Sequence, residues 1–493
     1  MKRVFCFAPS AMWAGIFKDL LIHGQKVEGW DVGIMGNDDS DKKFFSENFK
    51  LGAKQYLPPD LSNEEHDEEF ENGKLKHIIK ECENASGMSV SRIILNGERN
   101  MGSAFAEGLY YLRCNKIRKI SLSNNSYPEK VIYRIFRYII NVFEDFRPDL
   151  IISARYAAPI IFATYFYSKR YNIPHIVLQY SKMKNKRFFW TDDLLMYNTF
   201  AKNAFDKKLE NNTRASDEAY NYIAEYRKKP DIANFYVANL FKRRSQETWI
   251  QPIKGYYFSF LNNQGVLSKI YQESRGYLVQ YFHKKLMKSY EYDDLKKIKY
   301  IYFPLHKEPE LMLNLKAPLW HNSSHTIKYI SSMLPIGYKL IVREHIKNWG
   351  RRYTRYYRFL SRLPGVILVD PFDSQFKYIE NADLVITENG STGWEALLLK
   401  KPVITLDKTF YDVANLAIKA TIPSGLDKYI MKALNGYNKY NSEEYDRRLG
   451  LFLDAEKENS LSMESKAVDH LQMIEKLLNE EFTHKENCIL EEY

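Results

Sequence analysis

Residues 383–406 combine, in order, a short apolar run, a glycine-rich turn, a helical pattern and a second apolar run. The first run, DLVIT, ends at Thr387. A helix is predicted to begin near Ser391 or Thr392, since serine and threonine are favoured N-cap residues, and to end before Lys401-Pro402. The run VITL follows directly. A short connection filled by one helix is typical of neighbouring parallel strands, so this stretch predicts a parallel sheet covered by helices.

The same alternation occurs on both sides of residues 204–294. Apolar runs of strand length are Val4–Ala8, Val32–Gly36, Ser91–Asn100, Leu150–Ala154, Ile176–Tyr180, Tyr300–Leu305, Lys339–Val342, Val366–Val369, Asp383–Thr387 and Val403–Leu406. Helical spacing is present at Ala14–His23, Tyr133–Phe146 and Ala157–Tyr171. The pattern predicts an α/β protein with doubly wound parallel sheets.

With 493 residues, the chain is too long for one ordinary hydrophobic core. Residues 204–294 are rich in Lys, Glu, Asn and Tyr and poor in β-branched runs, which favours helices. We therefore predict a Rossmann-like domain over residues 1–200 and a helical connection over 201–295. A second Rossmann-like domain is predicted over 296–440, followed by a charged helical tail over 441–493.

The cysteines and the first ten residues indicate the cellular compartment in which the protein is expected. The four cysteines lie far apart with no CxxC spacing, which indicates free thiols in a reducing environment. MKRVFCFAPS resembles a first strand more than a secretory signal. No stretch of 18 consecutive apolar residues is present, so we expect a cytoplasmic protein without a transmembrane span.

The formal net charge of +11 is concentrated in three basic clusters, Lys182–Arg187, Lys242–Arg244 and Arg351–Arg358. Aromatic residues adjoin the last two, a combination that suits nucleic acid or an anionic membrane surface. A solvated lysine-rich surface explains any one cluster equally well. No nucleic-acid-binding motif is present, so we expect no nucleic-acid partner, and peripheral contact with the inner face of the membrane stays open.

Polar residues follow the predicted strands of the second half. His306-Lys307-Glu308-Pro309-Glu310 follows the first of them, and Arg343-Glu344-His345 ends the next. Asp370 follows the third strand, and Gly390-Ser391-Thr392 follows the fourth. The carboxyl ends of parallel strands meet at one edge of the sheet, which is where such folds bind ligands.

In this order and spacing, these elements resemble the capsule polysaccharide biosynthesis family of bacterial glycosyltransferases. That family includes Kdo-transferase-like members and is similar in pattern to bacterial sialyltransferases. The resemblance is best over residues 300–412 and weaker in the first half, where FRPDLII and NKRFFWTDD are similar to family segments. One departure is His345-Ile346, where the family usually has His-Pro.

The resemblance implies a GT-B arrangement, with the active site between an acceptor-side domain and a nucleotide-sugar-binding domain. It implies donor contacts at strand ends and at the helix N-terminus: His345, Arg343, Ser391, Thr392, Gly390, Glu395 and Asp370. Hydroxyls and amides at Ser391 and Thr392 would bind the donor phosphate without a metal ion. Glu395 would accept hydrogen bonds from ribose hydroxyls, or is simply a glutamate favoured by the helix dipole.

A strand-end carboxylate that faces the cleft could act as general base on the acceptor hydroxyl, or as nucleophile if the anomeric configuration is retained. Kdo-transferase-like relatives carry an acidic residue at about Glu310, with Glu308 and His306 beside it. Acceptor-side candidates are Ser10, Arg99 and Arg155, where basic groups suit an anionic glycan or a lipid-linked acceptor. We expect no cofactor and no metal, because no His/Cys/Asp cluster has zinc-ligand spacing.

These observations predict a glycosyltransferase that moves a sugar from a nucleotide sugar to a growing capsular or lipopolysaccharide-type glycan. The alternatives left open are a same-fold sugar-nucleotide epimerase, a polyol-phosphate transferase, and a non-catalytic polysaccharide assembly protein. Nucleotide binding separates the last from the others, and dependence of turnover on an acceptor separates the transferase from the epimerase.

Overall fold

A computed structural model describes residues 1–7, 13–36, 52–57, 73–97, 127–154, 158–181, 187–230, 280–308, 311–349, 352–420, 423–436 and 442–484. The described chain forms two compact units. The first contains the described residues up to 204 together with those from 455 onward. The second contains the described residues from 205 to 454.

Each unit is built on one six-stranded sheet. The strands are β1 (Arg3–Phe7), β2 (Asp31–Met35), β3 (Lys54–Tyr56), β4 (Leu150–Ser153), β5 (His175–Tyr180), β6 (Phe188–Thr191), β7 (Tyr300–Pro304), β8 (Lys339–Arg343), β9 (Val366–Val369), β10 (Leu384–Thr387), β11 (Val403–Thr405) and β12 (Ile418–Lys419). The first sheet has the order β3-β2-β1-β4-β5-β6 and the second β12-β11-β10-β7-β8-β9. All pairings are parallel except that of β5 with β6.

Helices connect and cover the strands. They are α1 (Ala14–Val27), α2 (Gly73–Ser86), α3 (Val90–Gly97), α4 (Tyr127–Phe146), α5 (Pro159–Tyr171), α6 (Thr199–Glu210), α7 (Asp217–Lys228), α8 (Tyr292–Leu295), α9 (Leu311–Lys316), α10 (Ser323–Ser332), α11 (Thr354–Leu360), α12 (Gln375–Asn381), α13 (Ser391–Leu398), α14 (Leu426–Gly436), α15 (Ser442–Glu458) and α16 (Ala467–His484). The predicted α/β class with two Rossmann-like sheets is therefore confirmed.

The first unit has its own apolar core, centred on α1 and the strands β1, β2, β4 and β5. Helix α16 completes this core, because Leu471, Ile474 and Leu477 are buried in it. The indole N–H of Trp190, in β6, donates to Nδ1 of His470 at 3.1 Å. The last described helix thus packs in the same unit as the first strand.

The strand predicted at Ser91–Asn100 is wrong over its described part, which forms helix α3. Val90, Ile93 and Ile94 are buried, whereas the residues at 91 and 92 are exposed. Buried residues at the first, fourth and fifth positions form one face of a helix, whereas a half-buried strand would bury every second residue. Ile93 and Ile94 have high strand propensity and led to the strand prediction, but helical packing of the face that they share with Val90 decides the structure.

The core of the second unit lies between its sheet and helices α10, α11 and α14. Strand β7 is central in this sheet and wholly buried, as expected for a parallel strand covered on both faces. Cys6 and Cys82 are free and buried in the first unit, which confirms the predicted free thiols for these two. No described helix is long and apolar enough to cross a bilayer.

Candidate functional site

The carboxyl edge of the second sheet contains a topological switch point. After β7 the chain forms β8 and β9 on one side and then β10, β11 and β12 on the other. Strands β7 and β10 are neighbours, and the segments that follow them lead to opposite sides of the sheet. A crevice opens at such a point, and ligands bind there in doubly wound folds.

His306 and Glu388 meet at this switch point. Nε2 of His306, after β7, lies 3.6 Å from Oε2 of Glu388, which directly follows β10. The side chain of Glu388 is fully buried, and that of His306 is 12% exposed. A buried carboxylate beside an imidazole stabilises its protonated form. His306 was predicted from the sequence and Glu388 was not, although a carboxylate that directly follows an apolar strand is a signal for such a site.

The turn after β10 leaves no room for a side chain at Gly390. A Cβ at this position would lie 2.8 Å from Cε1 of His306 and 3.0 Å from Oγ1 of Thr387. The amide of Gly390 donates to Oγ1 of Thr387 at 3.2 Å, and its carbonyl accepts from the hydroxyl of Tyr411 at 3.2 Å. The backbone of this turn is thus held against the imidazole, which explains the glycine.

Helix α13 begins at Ser391, as predicted, but the predicted capping role is wrong. Gly390 is the N-cap residue, and no side chain caps the helix. Ser391 and Thr392 are its first two residues, both half-buried. Within the described residues, neither hydroxyl has a hydrogen bond. The amide of Gly393 donates to the carbonyl of Gly390 at 3.3 Å, whereas a helix offers no partner to the amides of its first two residues. Those amides and the two hydroxyls together form an arrangement suited to an anion.

Glu395, predicted to contact ribose, lies below the surface. It is 1% exposed, and its Oε2 accepts from Nε2 of Gln375 at 2.7 Å. The contact joins α13 to α12, which starts after β9. In this arrangement Glu395 holds two helices of the site together.

Glu308, predicted to be catalytic, is bound in a buried ionic cluster. Arg352 donates from Nη1 to Oε2 of Glu308 at 3.0 Å and from Nε to Oε2 of Glu344 at 2.5 Å. The hydroxyl of Tyr357 donates to the same oxygen of Glu344 at 2.6 Å. Burial raises the pKa of Glu344, and Arg352 and Tyr357 oppose that rise. We assign this cluster to structure, because it joins the ends of β7 and β8.

His345 and Asn348 continue this connection. Nδ1 of His345 accepts the amide of Lys347 at 3.1 Å and so caps the short 3-10 helix Ile346–Asn348. Nδ2 of Asn348 donates to the carbonyl of His306 at 3.3 Å. The isoleucine that replaces the expected proline is buried at the start of this 3-10 helix.

Arg343 and Asp370 shape the loop after β9. Nη2 of Arg343 donates to the carbonyls of Pro371 and Asp373 at 2.6 and 3.0 Å. Oδ1 of Asp370 accepts the amide of Phe372 at 2.8 Å. Arg343 and Asp370 were both predicted to contact the nucleotide sugar, and in the structure these bonds hold the loop after β9 in place.

Four predicted residues lie outside the described part of the chain. They are the catalytic candidate Glu310 and the acceptor-side candidates Ser10, Arg99 and Arg155. Among the described residues, no group of three or more His, Cys, Asp or Glu side chains is arranged to hold a metal ion. The expected absence of a metal requirement stays a prediction.

Of the predicted site, the structure thus brings together His306, Gly390, Ser391 and Thr392. It adds Glu388, Thr387 and Tyr411, none of which the sequence analysis proposed.

Neither a protein-family model nor a curated protein sequence matches the chain. Solved structures similar to it include the UDP-GlcNAc 2-epimerase of Methanocaldococcus jannaschii, at 13% identity and a TM-score of 0.29, over 92% of this chain and 98% of that one. The KpsC β-Kdo 2,7-transferase of Thermosulfurimonas dismutans is 12% identical, with a TM-score of 0.30, over 69% and 89%. The spinosyn rhamnosyltransferase SpnG is 9% identical, with a TM-score of 0.29, over 96% and 100%. Likeness at this level identifies neither family nor activity.

Proposed function

We propose that this protein is a glycosyltransferase that moves a sugar from a nucleotide-sugar donor to a growing capsular or lipopolysaccharide-type glycan. The observation that carries the proposal is the pairing of His306 with Glu388 against the Gly390 turn, at the start of α13. It joins an imidazole, a buried carboxylate and an anion-binding helix start at one switch point.

The donor nucleotide leaves with negative charge on its phosphate. In the proposed complex, the first-turn amides of α13 and the hydroxyls of Ser391 and Thr392 bind that phosphate. The helix dipole adds to this stabilisation. His345 remains a predicted donor contact, from the loop that adjoins His306.

The acceptor hydroxyl must lose a proton as it attacks the sugar. We assign this proton to His306 instead of Glu308, because Arg352 already binds Glu308. Glu388 would stabilise the imidazolium that forms. The role of Glu310 as an additional base stays a prediction.

The test is a thermal-shift screen of the full chain against CMP, UDP, GDP, CDP and dTDP. At one hundred times Kd, a bound nucleotide should raise Tm by roughly 5–10 °C. The double variant S391A/T392A should weaken binding about 100-fold, through lost hydrogen bonds to a charged group. At the same concentration its shift should fall to about 1 °C.

The matched control is S332A/S361A, which removes two exposed hydroxyls from other helix ends of the same unit. It should keep the full shift. If no nucleotide binds, the enzymatic proposal fails and an assembly role replaces it. If S391A/T392A binds as tightly as the control, the phosphate site is elsewhere.

A nucleotide sugar of the base found in the screen then tests the reaction. Turnover that requires added glycan supports a transferase, and turnover of the donor into an epimer without acceptor would refute it. Selective binding of CDP, with transfer of a polyol phosphate, would also refute it.

A further inference from the structure

Two segments lie side by side on the second unit, next to the β9 edge of its sheet. One is residues 280–290, of which 280–284 are helical, and the other is residues 352–362, which contain α11. The amide of Lys288 donates to the carbonyl of Leu368 at 2.9 Å. The buried ring of His283 lies 4.3 Å from that of Tyr357, between ring centroids. We call the exposed side chains of these two segments the basic surface.

The two segments of the basic surface contain exposed cations and no acidic residues. Neither 280–290 nor 352–362 contains Asp or Glu. The exposed cations are Lys284, Lys285, Lys288, Arg355, Arg358 and Arg362. Asp373, which Ser289 contacts, is already bound by Lys377 and Tyr378.

Large aromatic side chains are exposed among these cations. Tyr281 is 59% exposed, Phe282 48% and Phe359 42%. Nζ of Lys285 lies 4.6 Å from the centroid of the Tyr281 ring. Exposed rings beside lysine and arginine are typical of proteins that bind the interface of an anionic bilayer, where rings insert and cations meet headgroups.

The surface beneath is firmly held. Arg352, within the second segment, is fully buried and bound to two carboxylates, so it does not contribute to the exposed charge. His283 packs its ring against Trp349 and Tyr357. The exposed rings therefore project from a packed base and need little ordering on binding.

We propose that the basic surface binds the headgroup region of an anionic lipid bilayer. A polyanion without aromatic bases would need the cations alone and gives no reason for two adjacent exposed rings at 281 and 282. Nucleic acid can stack its bases on such rings, but the chain has no nucleic-acid-binding motif. The inference does not depend on the reaction that the protein catalyses.

Co-sedimentation of the full chain with vesicles tests the proposal. The vesicles contain phosphatidylglycerol and phosphatidylcholine in equal amounts, or phosphatidylcholine alone. Binding to the mixed vesicles is expected, with little to the neutral ones. R355Q/R358Q/R362Q should weaken binding on the order of 100-fold, because each cation near an anionic leaflet contributes about fivefold. Y281S/F282S should weaken it about tenfold or more.

The control of equal charge is K328Q/K428Q/K432Q, whose lysines are exposed on α10 and α14 of the same unit. It should bind nearly as well as the wild type. Equal losses in both triple variants would refute the proposal, since net charge alone would then explain binding. Unchanged binding by Y281S/F282S, with full competition by soluble hyaluronate, would also refute it and assign the surface to a soluble polyanion.

Discussion

Replacing Arg352 by methionine tests whether the buried ionic cluster holds the second unit together. The change keeps a long side chain but leaves Glu308 and Glu344, both almost fully buried, without their cation. Breaking a buried pair by removing one partner costs about 3–5 kcal/mol. R352M also loses the contact of the guanidinium with the ring of Tyr356, whose centroid lies 4.4 Å away. We expect the unfolding free energy to fall by at least about 3 kcal/mol.

Hydrogen exchange of β8 in the native protein is the assay, because it reports opening of this unit alone. A loss of about 3 kcal/mol corresponds to exchange that is faster by a factor of roughly 150. The control is R355M, on the exposed face of α11, whose effect should stay within about 0.5 kcal/mol.

The loss of unfolding free energy in R352M, relative to the wild type, should depend on pH; we call this loss the deficit. Burial raises the pKa of Glu344 above its ordinary value of 4.5, and Arg352 limits that rise. Without Arg352 the pKa rises further, so the folded variant binds a proton more readily than the unfolded chain. The deficit is then largest near neutral pH and shrinks as the pH falls through the raised pKa toward 4.5. A deficit equal to that of R355M, or one that grows on acidification, would refute the role of the cluster.

Three further perturbations test other contacts. E388Q should lower turnover by roughly 10–100-fold, because a neutral amide does not stabilise the imidazolium that forms when His306 accepts a proton. G393A should lower the unfolding free energy by about 1–3 kcal/mol, because its Cβ would lie 1.9 Å from the hydroxyl of Tyr411. Burial lowers the pKa of His470 from 6.5 to about 4. The contribution of His470 to the unfolding free energy should therefore be full above pH 6.5 and fall by about 3 kcal/mol toward pH 4, and H470Q should lack this part of the pH dependence.

Each variant has a matched control. E443Q alters an exposed glutamate and should leave turnover unchanged. G436A adds a Cβ where no atom lies within 4 Å, and a loss of stability equal to that of G393A would contradict the packing argument. H325Q changes an exposed histidine of the second unit, and a pH dependence altered as much as in H470Q would show that burial is not the cause.

The strands were predictable because their patterns are local. Continuous apolar runs such as VFCF and LIIS are buried on both faces of a parallel sheet, and no other element was expected there. The error at Val90–Gly97 arose because Ile93 and Ile94 have high strand propensity, although they lie at helical spacing from Val90. Strand β6 was not predicted at all, because a short antiparallel edge strand depends on its partner β5 and not on its own pattern.

The side-chain partners at the site were less predictable than its position. Strand ends locate His306, Ser391 and Thr392, because topology alone brings the carboxyl ends of parallel strands to one edge. Which strand-end carboxylate pairs with an arginine depends on residues distant in sequence. Glu308 is bound by Arg352, which is 44 positions away, and no local pattern indicates that contact.

The different roles of three strand-end glutamates follow from their burial together with their binding partners. Glu308 and Glu344 share one arginine, so their charge is committed to the connection between β7 and β8. Glu388 is as deeply buried, but it lies against the imidazole of His306. A carboxylate whose partner can gain and lose a proton can assist proton transfer, whereas one paired with a guanidinium cannot. The chemistry of the site is therefore expected at His306 and Glu388, on the β10 side of the switch point, and the ionic cluster on the β8 side keeps the loop that carries His306 in place.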